Sequence, residues 1–281
     1  MIEENSNFFK SMRKIGEMAQ DITNAISVAI VPVIEFTKEI NEYLSSEKVQ
    51  TTFRNFVEGI IQTEEDIKNY KEVIVLIGYP PSISTDITLM RQIGQEFMEN
   101  RETGLKDIID DVMKKHYSPK KIDEIKSLWE SFSFLLDRKS LLRQALTAHN
   151  LGMYALSIPS LLSQMEGIIV DGYKIKQKVE GWQFKKLVRQ LFNNPDNEAF
   201  DFDNELREFY LKFILARFNH GQEIQSDVSR HAILHGGAKP VNFAKEEVSL
   251  KIILMMENII YRIDNLTENE IREAKKKLGF Y

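Results

Sequence analysis

The chain contains no cysteine, which excludes disulfides, zinc–thiolate sites and thiol nucleophiles together. That absence fits a reducing compartment such as the cytoplasm. There is no phosphate-binding loop of the GxxxxGK[ST] kind, no GxSxG elbow and no HExxH pair. Long apolar stretches are missing too. The longest run begins near Ala25 and ends around Phe36, broken by Ser27, Pro32 and Glu35. A bilayer span needs about 20 residues, so this run reads as a buried helix kinked or ended at Pro32, with a peripheral membrane segment as the alternative. The start, Met1-Ile2-Glu3-Glu4-Asn5, lacks the basic opening and apolar core of a secretory signal. The expectation is a cytoplasmic protein with no membrane partner.

What remains is ordinary for a globular chain of 281 residues: 43% hydrophobic and 28% charged. The net charge of −5 conceals an asymmetry. Residues 1–137 carry 16 basic and 24 acidic side chains, a net of −8, whereas residues 138–281 carry 21 and 18, a net of +3. Any polyanion contact is therefore expected in the second half.

Apolar residues recur at spacings of three and four, the period of amphipathic helices. Ile15, Met18, Ile22 and Ile26 form one stripe, Phe53, Phe56, Val57, Ile60 and Ile61 a second, and Ile87, Met90, Ile93 and Phe97 a third. Ser84 or Thr85 is the expected N-cap of that third helix. Gly78-Tyr79-Pro80-Pro81 reads as a turn or loop. Residues 105–112 read as a further helix, and Ser118 is expected to cap another that opens at Pro119. Val73–Ile77 is the one stretch with strand character, but without a partner strand it reads as a helix end. Further helices are expected over 140–154, 159–178, 182–192, 205–219 and 246–263, with a loop at Asn193–Asn197. The chain is thus expected to be all-α, with an acidic helical region of regulatory or partner-binding role at 1–137 and a helical domain at 138–281.

The densest chemistry is Ser229-Arg230-His231-Ala232-Ile233-Leu234-His235-Gly236-Gly237, one arginine and two histidines beside the chain's only Gly-Gly pair. Arginine grips phosphate and histidine moves protons near neutral pH. Ser226 or Asp227 is the expected cap of a short helix, with Gly236 ending it in the left-handed conformation. On that helix His231 and His235 share a face, while Arg230 points about 140° away from His235. A break at Gly236, or two copies meeting across a two-fold axis, would let them converge. The bland alternative is a buried turn, Ala232-Ile233-Leu234, with polar flanks. A metal site using both histidines and Asp227 or Glu223 is a third reading, but an Ala-Ile-Leu interior is unlike such motifs.

Arg230-His231-Ala232-Ile233-Leu234-His235 resembles the arginine, four-to-six residues, histidine signature of the HEPN superfamily, in which the residue after the arginine is usually polar. The likeness extends over roughly 138–265, taking in Leu161-Leu162-Ser163-Gln164-Met165-Glu166-Gly167 and a long apolar closing helix. The resemblance implies a HEPN-like helical bundle that forms homodimers with the motifs facing each other. It further implies a metal-independent endoribonuclease without cofactors, akin to abortive-infection proteins and toxins. RNA cleavage of that kind proceeds by 2′-hydroxyl attack to a 2′,3′-cyclic phosphate. His235 would carry proton transfer, Arg230 phosphorane charge, and His231 would orient Arg230 or transfer a second proton. Glu166 and, more weakly, Gln164 are candidate supporting residues, and Lys239, Asn242 and Lys245 candidate RNA-backbone contacts. The alternative of another class is a catalytically inactive module that binds a nucleotide or a protein partner. Trp182, with Phe184, Lys185, Lys186 and Arg189, is either a stacking surface or an amphipathic helix with its aromatics in the core. His116 and His149 read as structural or exposed, and His220 as a helix cap.

Overall fold

The computed structural model describes residues 47–193 and 201–280. The stripe Ile15–Ile26, the run Ala25–Phe36 and most of the loop Asn193–Asn197 lie outside the described residues. Contacts divide the chain into two compact units, Met1–Gln62 and Thr63–Tyr281. The expected boundary near residue 137 falls inside the second unit, at the 3₁₀ turn Ser133–Leu135.

Eleven α-helices and no strand occur among the described residues, so the chain is all-α. They are α1 (Glu47–Ile74), α2 (Ile87–His116), α3 (Pro119–Ser131), α4 (Lys139–Asn150), α5 (Tyr154–Gly172) and α6 (Gly181–Leu191). There follow α7 (Asp203–Phe209), α8 (Arg230–Leu234), α9 (Pro240–Phe243), α10 (Glu246–Asp264) and α11 (Glu268–Leu278). Helix α10 is buried from Val248 to Ile260 on every face, as expected of a helix without a polar side. It packs on α5, and around that pair lie α2, α3, α4 and α6. None of the described helices is long and apolar enough to cross a membrane.

Several boundaries differ from the periodicity. The stripes at 87–97 and 105–112 are one helix with a break at Arg101, whose φ is 58°. Helix α4 stops at Asn150 rather than 154, and α5 starts at Tyr154, so that Pro159 lies inside it. Ser118 holds the cap position of α3, but its hydroxyl makes no cap bond; Pro119 needs no donor partner there. Over 205–219, α7 passes into a π turn at Tyr210–Ile214 and ends, leaving His220 in a loop edge-on to Phe218 rather than capping a helix.

The cap of α2 is Asp86, which accepts from the Leu89 amide at 2.9 Å, not Ser84 or Thr85. Those hydroxyls are committed elsewhere. Ser82 and Ser84 donate to the Glu257 carboxylate of α10 at 2.5 and 2.7 Å, and Thr85 pairs with Tyr117 at 2.8 Å. Asn258 of α10 donates to the Pro81 carbonyl at 2.8 Å, and Tyr79 donates to Asp110 at 2.6 Å. The Gly78–Thr85 segment is thus docked into the core by polar side chains. Glu257 is buried, and desolvation raises its pKa above 4.5 against the opposing pull of the two serines. Because the folded carboxyl keeps its proton to higher pH than the unfolded one, its contribution is complete below pH 4.5 and is lost as pH rises. Glu257→Gln is therefore expected to stabilise the protein at pH 7.5, with the gain shrinking toward pH 4.5. Urea melts at both pH values check this, and an equal effect at both would contradict it.

Candidate functional site

Helix α8 exists because Ser229 caps it, accepting from the Ala232 amide at 3.3 Å while its own hydroxyl donates to the Ala216 carbonyl at 3.2 Å. The cap is thus Ser229 and not Ser226 or Asp227; the Asp227 carboxylate is held by Lys251 at 2.9 Å. The helix ends as the glycine predicts. His235 is the C-cap, and Gly236 follows with φ 72°. The Ala238 amide then donates to the Ala232 carbonyl at 2.8 Å, closing the turn. Gly237 is pinned under Phe218, whose ring lies where any Cβ would stand.

Ala232 and Ile233 point into the core, as the bland reading requires, and α8 packs on α5. The polar side chains emerge around that anchor. Arg230 reaches α5 and pairs with Glu166 at 2.8 Å, the two side chains being 21% and 34% exposed. The guanidinium Nε is buried and has no acceptor among the described residues. His231 and His235 stack with ring centroids 5.9 Å apart and planes 4° from parallel, as a four-residue helical spacing places them. His235 is exposed and His231 half-buried. Burial lowers the His231 pKa below 6.5, and the charges of Arg230 and His235 add to this while Glu166 opposes them. No hydrogen bond joins His231 to Arg230 among the described residues, so Glu166, not His231, is the group that orients the arginine here.

Gln164 does not reach this cluster. Its carboxamide oxygen accepts from Arg138 at 2.5 Å, and the same guanidinium pairs with Asp171 at 2.5 Å across Gly167. Lys239, Asn242 and Lys245 are exposed beyond the motif, with Lys239 at the N-cap of α9 and Lys245 at that of α10. His116 is half-buried, 4.0 Å from Asp86, and His149 is a core residue. Among the described residues no group of three or more acidic or histidine side chains is placed to hold a metal ion.

One participant carries no sequence signal. Tyr210, the first residue of the π turn, is fully buried, and its hydroxyl has no hydrogen-bond partner among the described residues. Burial drives the phenol's pKa up, with Arg230 opposing and Glu166 reinforcing the shift, so the ring lies within electrostatic reach of that ion pair. In the sequence it is one more aromatic on an apolar stripe; only the π turn, which the 3.6-residue period does not encode, sets it there.

The arrangement is an arginine fixed by a carboxylate, two stacked imidazoles and a buried phenol within electrostatic reach of the ion pair. It offers a fork for phosphate oxygens and two groups that move protons. No protein-family model, curated protein or solved structure matches the chain.

Proposed function

We propose that the chain is a metal-independent endoribonuclease of the HEPN type, acting in the cytoplasm in phage defence or growth arrest. The carrying observation is the Arg230–Glu166 pair beside the stacked His231 and His235 on one short helix. In the reaction, the 2′-oxygen of a ribose bonds to the adjacent phosphorus while the bond from phosphorus to O5′ breaks. A proton leaves the 2′-hydroxyl and a proton is delivered to O5′, giving a 2′,3′-cyclic phosphate and a 5′-hydroxyl. His231, pushed toward its neutral form, suits the acceptor role. His235, which is exposed, donates a proton of its own to O5′, and Arg230 faces the charge on the phosphorane. Two copies meeting at a two-fold axis would supply the groups that a single helix turns away from one another.

The test is cleavage of RNA in excess EDTA, with the product ends identified by a 5′-hydroxyl that accepts phosphate from a kinase and a cyclic phosphate that resists a phosphatase. No cleavage by wild type, or products with 3′-hydroxyl ends, would sink the proposal. The acid limb of kcat/KM is expected below pH 6.5, because the acceptor His231 is held toward neutrality. A limb above that value would assign the acceptor role elsewhere.

A second reading is favoured by one feature. Arg230 is already paired with Glu166 within its own chain, as it would be in a non-catalytic module that binds a nucleotide or a protein partner. Under that reading Arg230→Ala alters ligand binding and leaves RNA intact in every sample.

A further inference from the structure

Helix α6 has two faces set by one spacing. Phe184, Leu187, Val188 and Leu191 are buried, while Trp182, Lys185, Lys186 and Arg189 are exposed along the opposite stripe at intervals of three and four. The segment Gly181–Leu191 holds no acidic residue, and none of the three cations has a carboxylate partner among the described residues. Trp182 is 56% exposed, an unusual place for so large a ring, and the Lys186 ammonium lies 4.9 Å from its centroid.

This stripe is not remote from the motif. Both α6 and α8 pack on α5, and Lys185 stands near enough to His231 that its charge works against protonation of that ring. The first turn of α6 is tied to α11 by Gln183, whose carboxamide donates to the Leu278 carbonyl at 3.0 Å. Lys275, Lys276 and Lys277 occupy the last turn of α11, so a second source of positive charge adjoins the start of α6.

We propose that the exposed stripe of α6 is the binding track for a single-stranded RNA, with Lys185, Lys186 and Arg189 on successive phosphates and a base stacked on Trp182. The identity of the strand rests on the ribonuclease reading; the track itself rests on the stripe. Cations spaced along a helix with an aromatic platform are the combination that grips single strands without regard to sequence. An anionic membrane is the poorer match, because the apolar face that an interfacial helix would bury in lipid is already spent on the core.

The experiment uses the full chain carrying His235→Ala, so that RNA stays whole, and measures binding of a 12-nucleotide oligouridine by fluorescence anisotropy across a salt series. The triple variant Lys185→Gln/Lys186→Gln/Arg189→Gln is expected to bind at least about tenfold more weakly, with the salt slope reduced by about 2 for three lost single-strand phosphate contacts. Of the two tryptophans, Trp129 is buried, so quenching by the oligonucleotide should report Trp182 and vanish in Trp182→Phe. Circular dichroism melts matching the parent show that the variants fold. Unchanged affinity and slope in the triple variant overturn the track, even if wild type proves to be a ribonuclease. Equal binding of duplex RNA, or binding of phosphatidylserine vesicles in place of RNA, overturns it as well. Loss of binding in the triple variant supports the track, even if wild type cuts nothing, in which case it is the catalytic reading that fails.

Discussion

Arg230→Ala is expected to lower kcat for RNA cleavage by about 10²–10³-fold, and His235→Ala by a similar or larger factor. Arg230 adjoins His231 in the chain and its charge acts on that ring, and removing a preorganised donor from a phosphorane cannot be offset by water arriving at random. The variant also leaves the Glu166 carboxylate unpaired and part-buried, which costs about 1 kcal/mol at this degree of exposure. Two companions separate that cost from catalysis. Arg230→Lys keeps the charge against Glu166 but loses the fork, so it should fold like wild type and remain impaired. Arg230→Ala/Glu166→Gln removes the stranded charge, so it should recover stability and recover no activity. If Arg230→Ala cleaves at the wild-type rate, or if the double variant restores cleavage, Arg230 is a structural residue and the proposed site is wrong.

The legibility of this site in the sequence follows from which interactions are local. Ser229, Gly236 and the four-residue spacing of the histidines act within one turn, so the short helix, its left-handed end and the shared face of His231 and His235 are legible directly, although the cap is Ser229 rather than the neighbouring Ser226 or Asp227. Glu166 carries a signal because a carboxylate within an otherwise apolar stretch needs a partner where it is buried. That its partner is Arg230 depends on α5 and α8 packing together, which no local rule states. Gln164 had the same kind of signal and went to Arg138 instead. The cap of α2 departs from the expected Ser84 or Thr85 for the converse reason. Ser84 and Thr85 are sound cap residues, but Glu257 and Tyr117, distant in sequence, compete for their hydroxyls, and Asp86 takes the vacant role. Helix existence was set by period, and helix ends by contacts the period does not contain.

Such buried contacts also fix how the fold responds to acid, and His149 is one of them. It is 5% exposed on α4, with Nδ1 2.8 Å from the Ser249 hydroxyl of α10, which in turn lies 3.1 Å from the hydroxyl of Ser157 on α5. Burial lowers its pKa from 6.5 to about 4. Between those values the unfolded chain binds a proton that the folded chain refuses, so stability falls as pH falls through that window. The difference amounts to about 3 kcal/mol, a large fraction of a typical domain's stability. Protonation would also leave both ring nitrogens as donors, forcing the Ser249–Ser157 pair to accept and reorient. The half-buried His116 and His231, lowered by desolvation as well, add in the same direction, whereas Glu257 gains stability on the acid side. Urea melts of wild type from pH 7 to 4 should therefore contain a downward slope below pH 6.5 that belongs to His149. His149→Asn, which keeps a polar atom near the Nδ1 position, should shift the whole curve by a constant for its lost volume and flatten that slope. Parallel curves for the two proteins would mean that His149 is not the group being charged. The three serine and histidine side chains that knit α4, α5 and α10 together would then be packing partners alone, and the acid sensitivity of the fold would lie elsewhere.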